Sequence, residues 1–113
     1  MNNDLKALYI IVNAGFSNDI VDIARLEGAK GATIINARGE NASHEVFMGI
    51  TMDIEKEIIL CLTEEDTAEK IMIAVKEKAG YDSPARSICF TMPIDKMIGL
   101  NHSTLEETAE IED

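Results

Sequence analysis

Two short polar segments carry the residues best suited to bind an anion. Arg38-Gly39 ends one apolar run, and Ser83-Pro84-Ala85-Arg86 precedes another. A glycine after a strand lets the backbone approach a phosphate and donate its N–H group, while an arginine adds a charge-assisted hydrogen bond. The two arginines stand at the ends of different loops, which allows both to face one cleft. Taken singly, each feature is also compatible with ordinary turn chemistry or a surface charge.

The charge balance restricts the partners of this chain. Ten basic residues against 21 acidic ones give a formal charge of −11. Such a charge repels nucleic-acid phosphates, so the composition argues against a nucleic-acid-binding protein. A small anion would need local compensation, which Arg38 and Arg86 would supply.

Residues for catalysis or metal binding are sparse. His44 and His102 have no Cys, Asp or Glu at a spacing that predicts a nucleophile or a metal site, although His44-Glu45 leaves a metal possible. A small enzyme would need an acid–base pair that the sequence does not offer. Residues around His44 combine polar and apolar side chains suited to a partner contact. The expected partner-binding residues are Ser43, His44, Val46, Phe47 and Met48.

The elements that must position these residues follow from apolar periodicity. Residues 5–12, 31–38, 56–62 and 87–93 are strand-like, with Pro93 at a sheet edge. Ser17 and Gly28 suggest a helix over 18–28, capped at both ends. Thr63-Glu-Glu-Asp66 reads as the capping box of a second helix, which Gly80 ends. Residues 39–54 form a long loop between two paired strands.

The order βαββαβ predicts an α+β, ferredoxin-like sandwich in which two helices cover one face of a four-stranded antiparallel sheet. The strands are apolar on both alternating sets, as Ile34 and Ile35 or Ile58 and Ile59 show. A monomer would expose that second apolar face, so we expect sheets to pack together in an oligomer.

Composition fits one domain with an aliphatic core. The chain has 113 residues, of which 46% are hydrophobic and only 4% aromatic. Cys61 and Cys89 lie in apolar runs and read as small core side chains rather than a disulfide. Without a signal-peptide pattern or a membrane-length apolar run, we expect a cytoplasmic protein. Residues 1–100 form the expected domain, and 101–113 an acidic tail.

The segments around Arg38-Gly39, residues 55–62 and residues 80–90 together resemble the PII-type nitrogen regulatory proteins, trimeric sensors of adenine nucleotides. The resemblance covers about residues 5–100. It implies that three subunits pack their sheets around an axis, with a nucleotide between neighbours. Carried over position by position, the implied nucleotide-binding residues are Ala32, Thr33, Arg38, Gly39, Cys61, Leu62, Ser83, Pro84, Ala85 and Arg86.

The chain also departs from that family pattern. The family's protruding T-loop would be residues 40–53, shorter than usual and without a tyrosine or the glutamine that helps to bind Mg²⁺ and 2-oxoglutarate. The phosphate loop is not glycine-rich, and Lys96 is the only basic residue after the last strand. With fewer cations for phosphates, we expect AMP or ADP to be preferred over ATP.

The sequence therefore predicts a divergent, PII-like signal transduction protein that is not an enzyme. An adenine nucleotide would change the order of residues 40–53 and so regulate a partner, with a membrane transporter as the expected target. The alternative is a metal-responsive trimer resembling the cation-tolerance proteins, using His44 or the cysteines.

Overall fold

The computed structural model describes residues 5–39, 46–47, 50–51 and 54–99, which form a four-stranded antiparallel sheet with two helices on one face. The sheet order is β2-β5-β1-β6. The elements are β1 (Leu5–Asn13), α1 (Ser17–Leu26), β2 (Thr33–Gly39), β3 (Val46–Phe47), β4 (Ile50–Thr51), β5 (Ile54–Glu64), α2 (Glu65–Ala79) and β6 (Ile88–Pro93). The predicted ferredoxin-like fold is confirmed.

Strand register places the core between the sheet and the helices. Ile10 of the central strand β1 pairs with Ile59 of β5 on one side and with Cys89 of β6 on the other, so these three side chains share a face. Against that face pack Ile20 of α1 and Ile71 of α2, both fully buried. The core is aliphatic, as the composition predicts.

Helix α1 begins at Ser17, one residue earlier than predicted, and ends at Leu26 rather than at residue 28. Phe16 occupies the N-cap position, so Ser17 is inside the helix and makes no capping hydrogen bond. The stop at Gly28 is confirmed by its φ of 116°, which a side chain would disfavour. Leu26, the last residue of the helix, is 77% exposed.

Helix α2 matches the predicted apolar spacing but not the predicted cap. Ala68, Ile71, Val75 and Ala79 are buried, and Gly80 follows the last helical residue. Thr63 is not a cap: it is the buried penultimate residue of β5, and Glu64 takes the N-cap position without a side-chain hydrogen bond. Strand continuation outweighed the local capping motif because Thr63 pairs with Lys6 of β1.

The segment predicted as a loop contains a short hairpin. Strands β3 and β4 pair antiparallel, with Val46 opposite Thr51 and Phe47 opposite Ile50. Two of the expected partner-binding residues, Val46 and Phe47, are therefore in a strand. The other three, Ser43, His44 and Met48, lie outside the described residues, as does the acidic tail.

The sheet face opposite the helices, which we call the open face, is apolar, and no other element among the described residues covers it. Tyr9 and Phe90 stack across β1 and β6 with ring centroids 5.1 Å apart. The large exposed side chains of this face are Ile35, Leu62, Ile88, Phe90 and Met92. The prediction of a second apolar sheet face is confirmed.

The two cysteines are free and too far apart to bridge. Cys61 and Cys89 lie on the strands that flank β1, about 10 Å apart by strand spacing, beyond the roughly 7 Å that a disulfide spans between Cα atoms. Burial raises the pKa of both thiols. Within the described residues, no helix has the length and apolar character needed to span a membrane.

Candidate functional site

The turn between α2 and β6, residues 80–87, carries one of the two predicted anion-binding segments. Gly80 ends α2 where a Cβ atom would meet the Lys76 carbonyl oxygen at 2.6 Å, so only glycine fits without a backbone shift. The Ser83 N–H group and Oγ both donate to the Gly80 carbonyl, at 2.9 and 2.7 Å. This geometry fixes the direction in which the turn leaves the helix.

The amides of residues 83–86 are used inside the turn. The Ala85 N–H group donates to Ser83 Oγ at 3.3 Å, and the Arg86 N–H group donates to the Ser83 carbonyl at 3.0 Å. Pro84 has no N–H group. An anion at this turn would therefore be recognised mainly by side chains, in contrast to glycine-rich loops that offer a row of free amides.

Arg86 is the side chain of this turn best placed for that role. It is exposed, and its guanidinium carbon lies 5.2 Å from the centre of the Tyr81 ring, within cation–π range. Its φ of 53° lies in the left-handed region, which is unusual for a residue with a side chain. Such conformations persist where the surrounding structure holds them and are common at binding sites.

A hydrogen-bond chain holds the turn against the end of the sheet. Asn13, the last residue of β1, donates through its backbone N–H to the Ala85 carbonyl and through Nδ2 to the Pro84 carbonyl, both at 2.9 Å. Lys56 Nζ donates in turn to Asn13 Oδ1 at 2.7 Å. The position of the turn therefore depends on β1 and β5.

Lys56 lies beside both predicted segments, and the sequence prediction did not include it. It pairs in register with Asn13 on one side and with Ala37 on the other. Its stem also passes Gly39, where a Cβ atom would meet Lys56 Cε at 3.1 Å. One ammonium group thus lies between the two predicted anion-binding segments. The signal in the sequence is a lysine on the same strand face as Ile54, Ile58 and Leu60, where only apolar side chains are otherwise expected.

Arg38 and Gly39 lie at the same end of the sheet as the turn. Strands β5 and β1 lie between β2 and β6. At ordinary strand spacing, β2 and β6 are therefore about 14 Å apart. Because Arg38 and Lys56 occupy alternate positions in the paired ladder, their side chains point to opposite faces. In one chain the two arginines therefore share a sheet end but not a closely packed pocket.

The remaining predicted nucleotide-binding residues lie elsewhere. Thr33 pairs with Leu60, about 20 Å along β2 from Gly39, and Ala32 precedes it. The Leu62 side chain is on the open face, whereas Cys61 points into the core. Ala85 is also buried. The ten residues form two separate groups in a single chain.

Charges of both signs lie at this end of the sheet. Lys56 and Arg86 lie at this end, Arg38 is on the other face of the sheet beside Glu55, and the Glu57 carboxylate accepts a hydrogen bond from the Gly15 N–H group at 3.1 Å. Among the residues that the structure describes, no cluster of three or more His, Cys, Asp and Glu side chains is placed to hold a metal. The metal candidate His44 falls outside them.

Comparison with known proteins identifies the fold. No protein-family model matches the sequence, and no curated protein is significantly similar to it. A PII-like signalling protein of Thermus thermophilus superposes with a TM-score of 0.62 at 21% identity, over 80% of this chain and 85% of that one.

CPII, a nitrogen regulatory PII-like protein of Thiomonas intermedia, superposes equally well. Bound to ADP, AMP and bicarbonate, it gives a TM-score of 0.62 at 17% identity, over 85% of this chain and 96% of CPII. Bound to ADP, AMP and acetate, CPII gives a TM-score of 0.61 at 22% identity, over 80% of this chain and 85% of CPII. The chain therefore has the fold of the PII-like signalling proteins.

Proposed function

We propose that this chain is a divergent PII-like signal transduction protein that binds an adenine nucleotide. The observation that carries the proposal is the chain of hydrogen bonds from Lys56 through Asn13 to Pro84. It brings a lysine, Gly39 and the Arg86 turn to one sheet end in an otherwise acidic protein. CPII, which shares the fold, binds ADP and AMP.

The binding unit in this proposal is a homotrimer. The open face exposes five large apolar side chains, which is typical of a protein–protein contact surface, and the resemblance to PII-type proteins implies three subunits. The two groups of predicted site residues are about 20 Å apart along β2 in one chain. A nucleotide between subunits would join the Lys56 end of one chain to residues of its neighbour.

We assign the phosphates to Lys56, Arg86 and the Gly39 amide, with Arg38 at the rim. The Ala32–Thr33 and Cys61–Leu62 groups would contribute to the base pocket, and Cys61 through its backbone alone, because its side chain is buried. With few cations and few free amides, the site favours AMP or ADP over ATP.

Signalling follows if the nucleotide has different affinities for two states of residues 40–53, since only such a difference shifts their populations. Gly39 leads directly into this segment, so a phosphate bound at Gly39 is adjacent to it. The regulated partner in this proposal is a membrane transporter, contacted by the cytoplasmic protein through the hairpin residues Val46 and Phe47. We assign no enzymatic reaction.

Isothermal titration calorimetry with AMP, ADP and ATP tests the nucleotide. We expect AMP or ADP to bind more tightly than ATP. The Arg86→Ala variant should bind about 10- to 100-fold more weakly, because a charge-assisted hydrogen bond contributes about 1.5–3 kcal/mol. Lys70→Ala, on the exposed side of α2, is the matched control. Undetectable binding of all three nucleotides by the intact oligomer would refute the proposal.

A further inference from the structure

The outer edge of β6 is open to a further strand. In the sheet order β2-β5-β1-β6, β6 pairs with β1 on one side, and no strand among the described residues pairs with its other side. Such an edge presents unpaired backbone N–H and C=O groups, which proteins usually shield with charged side chains or proline. Pro93 stands only at the end of β6, and residues 88–92 carry no charge.

A groove runs between α2 and β6 on the helix side of the sheet, and we call it the edge groove. The half toward the end of β6 encloses ≈ 350 Å³ and is bordered by Thr91, and the half toward its start encloses ≈ 290 Å³ and is bordered by Ser87 and Cys89. Met72 lines both halves. Ile73, which lines the half at the start of β6, is 60% exposed, so the groove leaves apolar surface uncovered.

The C-terminal segment, residues 103–113, has the side-chain alternation that a strand at this edge requires. Its sequence is Ser-Thr-Leu-Glu-Glu-Thr-Ala-Glu-Ile-Glu-Asp, and it lies outside the described residues. Leu105, Ala109 and Ile111 fall on one set of alternate positions, whereas the other set consists of threonine and glutamate alone. As a strand, this segment would present one face that is apolar except at Glu107.

The end of β6 places this segment within reach of the edge groove. The Ile94 N–H group donates to the Leu5 carbonyl at 3.3 Å, so the chain leaves the sheet at the Thr91 end of the groove. Residues 94–102 can span about 30 Å when extended, which is ample for a reversal of direction. Gly99, whose φ of 117° suits such a reversal, lies within this connection.

The charges along α2 favour an antiparallel return. The first turn of α2 is acidic, whereas its last turn has a net positive charge, with Lys76 and Lys78 against Glu77. In the antiparallel direction, the uncharged residues 103–105 would lie toward the acidic turn, and the acidic residues 110–113 toward the basic turn. A parallel arrangement would instead bring like charges together.

We propose that the C-terminal segment of the same chain adds to the outer edge of β6 as a further antiparallel strand, with Leu105 and Ile111 in the edge groove. Backbone hydrogen bonds to the open edge hold the segment, and the apolar side chains that cover Ile73 fix its register. Because the groove is open to solvent at Ile73, the Glu107 carboxylate stays hydrated. The threonine and glutamate set faces the opposite side of the sheet.

Amide hydrogen exchange of the full chain, measured by NMR, tests this docking. A further strand would protect the alternate amides of residues 88–92 that do not bond to β1. In the double variant Leu105→Asp/Ile111→Asp, these amides should exchange about tenfold or more faster, because both large apolar anchors are lost. The matched control Thr104→Asp/Thr108→Asp adds the same charge on the other set of positions and should leave the exchange rates unchanged.

A variant of the groove itself provides the reciprocal test. Ile73→Asp should accelerate exchange of the same β6 amides and still fold, because the Ile73 side chain is largely exposed. Leu26→Asp makes the same kind of change on α1, where the leucine is 77% exposed and lies outside the groove lining, and should have no effect.

Two results would overturn the inference. One is rapid exchange of the outward β6 amides in the wild-type protein, which would leave the edge unpaired in solution. The other is protection that survives equally in both double variants of the C-terminal segment. That result would mean that another occupant, such as the β6 edge of a second copy, covers this edge.

Discussion

At the scale of single residues, Lys56 makes a structural contact and has a proposed binding role. Its Nζ donates to Asn13 Oδ1, and through Asn13 it positions the Pro84–Ala85 turn. Substitution by methionine keeps the stem beside Gly39 but removes the charge. We expect Lys56→Met to bind ADP about 10- to 100-fold more weakly by calorimetry. The urea unfolding midpoint of Lys56→Met should fall only modestly. The control Lys70→Met should change neither the ADP affinity nor the urea midpoint.

Cys61 makes a second residue-scale prediction, on pH. Burial raises the pKa of its thiol in the folded protein above the ordinary value of 9.0. At pH values between the unfolded and the folded pKa, the folded protein therefore keeps the thiol proton that the unfolded chain loses. The stability that this thiol contributes is complete below about pH 9 and is lost as pH rises through the folded pKa.

Urea unfolding at pH 8 and pH 10 checks this prediction in wild type and Cys61→Ala. The wild-type protein should lose more unfolding free energy between the two pH values than the variant does. Other titrating groups are common to both proteins and cancel in the comparison. Identical losses would show that the Cys61 thiol ionises at its ordinary pKa in the folded state.

At the scale of elements, the end of α2 depends on one glycine. A Cβ atom at Gly80 would lie 2.6 Å from the Lys76 carbonyl oxygen, a backbone atom that cannot move alone. We expect Gly80→Ala to lower the free energy of unfolding by about 1–3 kcal/mol. Gly31→Ala is the control, because a Cβ there meets nothing within 4 Å. Equal denaturation midpoints for the two variants would contradict this account.

Element types were predictable from the sequence, but several boundaries were not. The βαββαβ order was predictable from the apolar spacing of α2 and from strands with apolar side chains on both faces, because long periodic patterns outweigh local detail. Thr63 was misassigned because a capping motif and a strand end look alike until the pairing with Lys6 is known. The β3–β4 hairpin was missed because its strands have two residues each.

The candidate site was less predictable than the fold. Gly39 and Arg86 stand out by residue type and position, whereas Lys56 becomes relevant only through its contacts with Asn13 and Gly39. Those contacts join three strands and a turn that are distant in sequence. A single sequence gives no indication of which side chains meet at such a sheet end.

At the scale of the whole molecule, the proposed trimer depends on the open face. Phe90 is 41% exposed in the single chain and stacks on Tyr9. A lysine there would bury a charge in the proposed subunit interface, at a cost well above the roughly 2–3 kcal/mol gained by burying a phenylalanine.

We therefore expect Phe90→Lys to be monomeric and wild type to be trimeric in sedimentation experiments at micromolar concentration. Leu26→Lys, which changes an exposed leucine of α1 on the opposite side of the molecule, should stay trimeric. A monomeric wild-type protein would remove the proposed nucleotide clefts as well as the trimer.

The internally satisfied amides of the 83–86 turn have a consequence for how the protein would respond to its surroundings. A site that relies on lysine and arginine tips, rather than on a cradle of backbone dipoles, is exposed to mobile counterions, and its Coulomb attraction is screened within about 8 Å at physiological ionic strength. Ligand occupancy of the proposed site would then decrease as the surrounding salt concentration rises, so its response would depend on ionic strength as well as on nucleotide concentration.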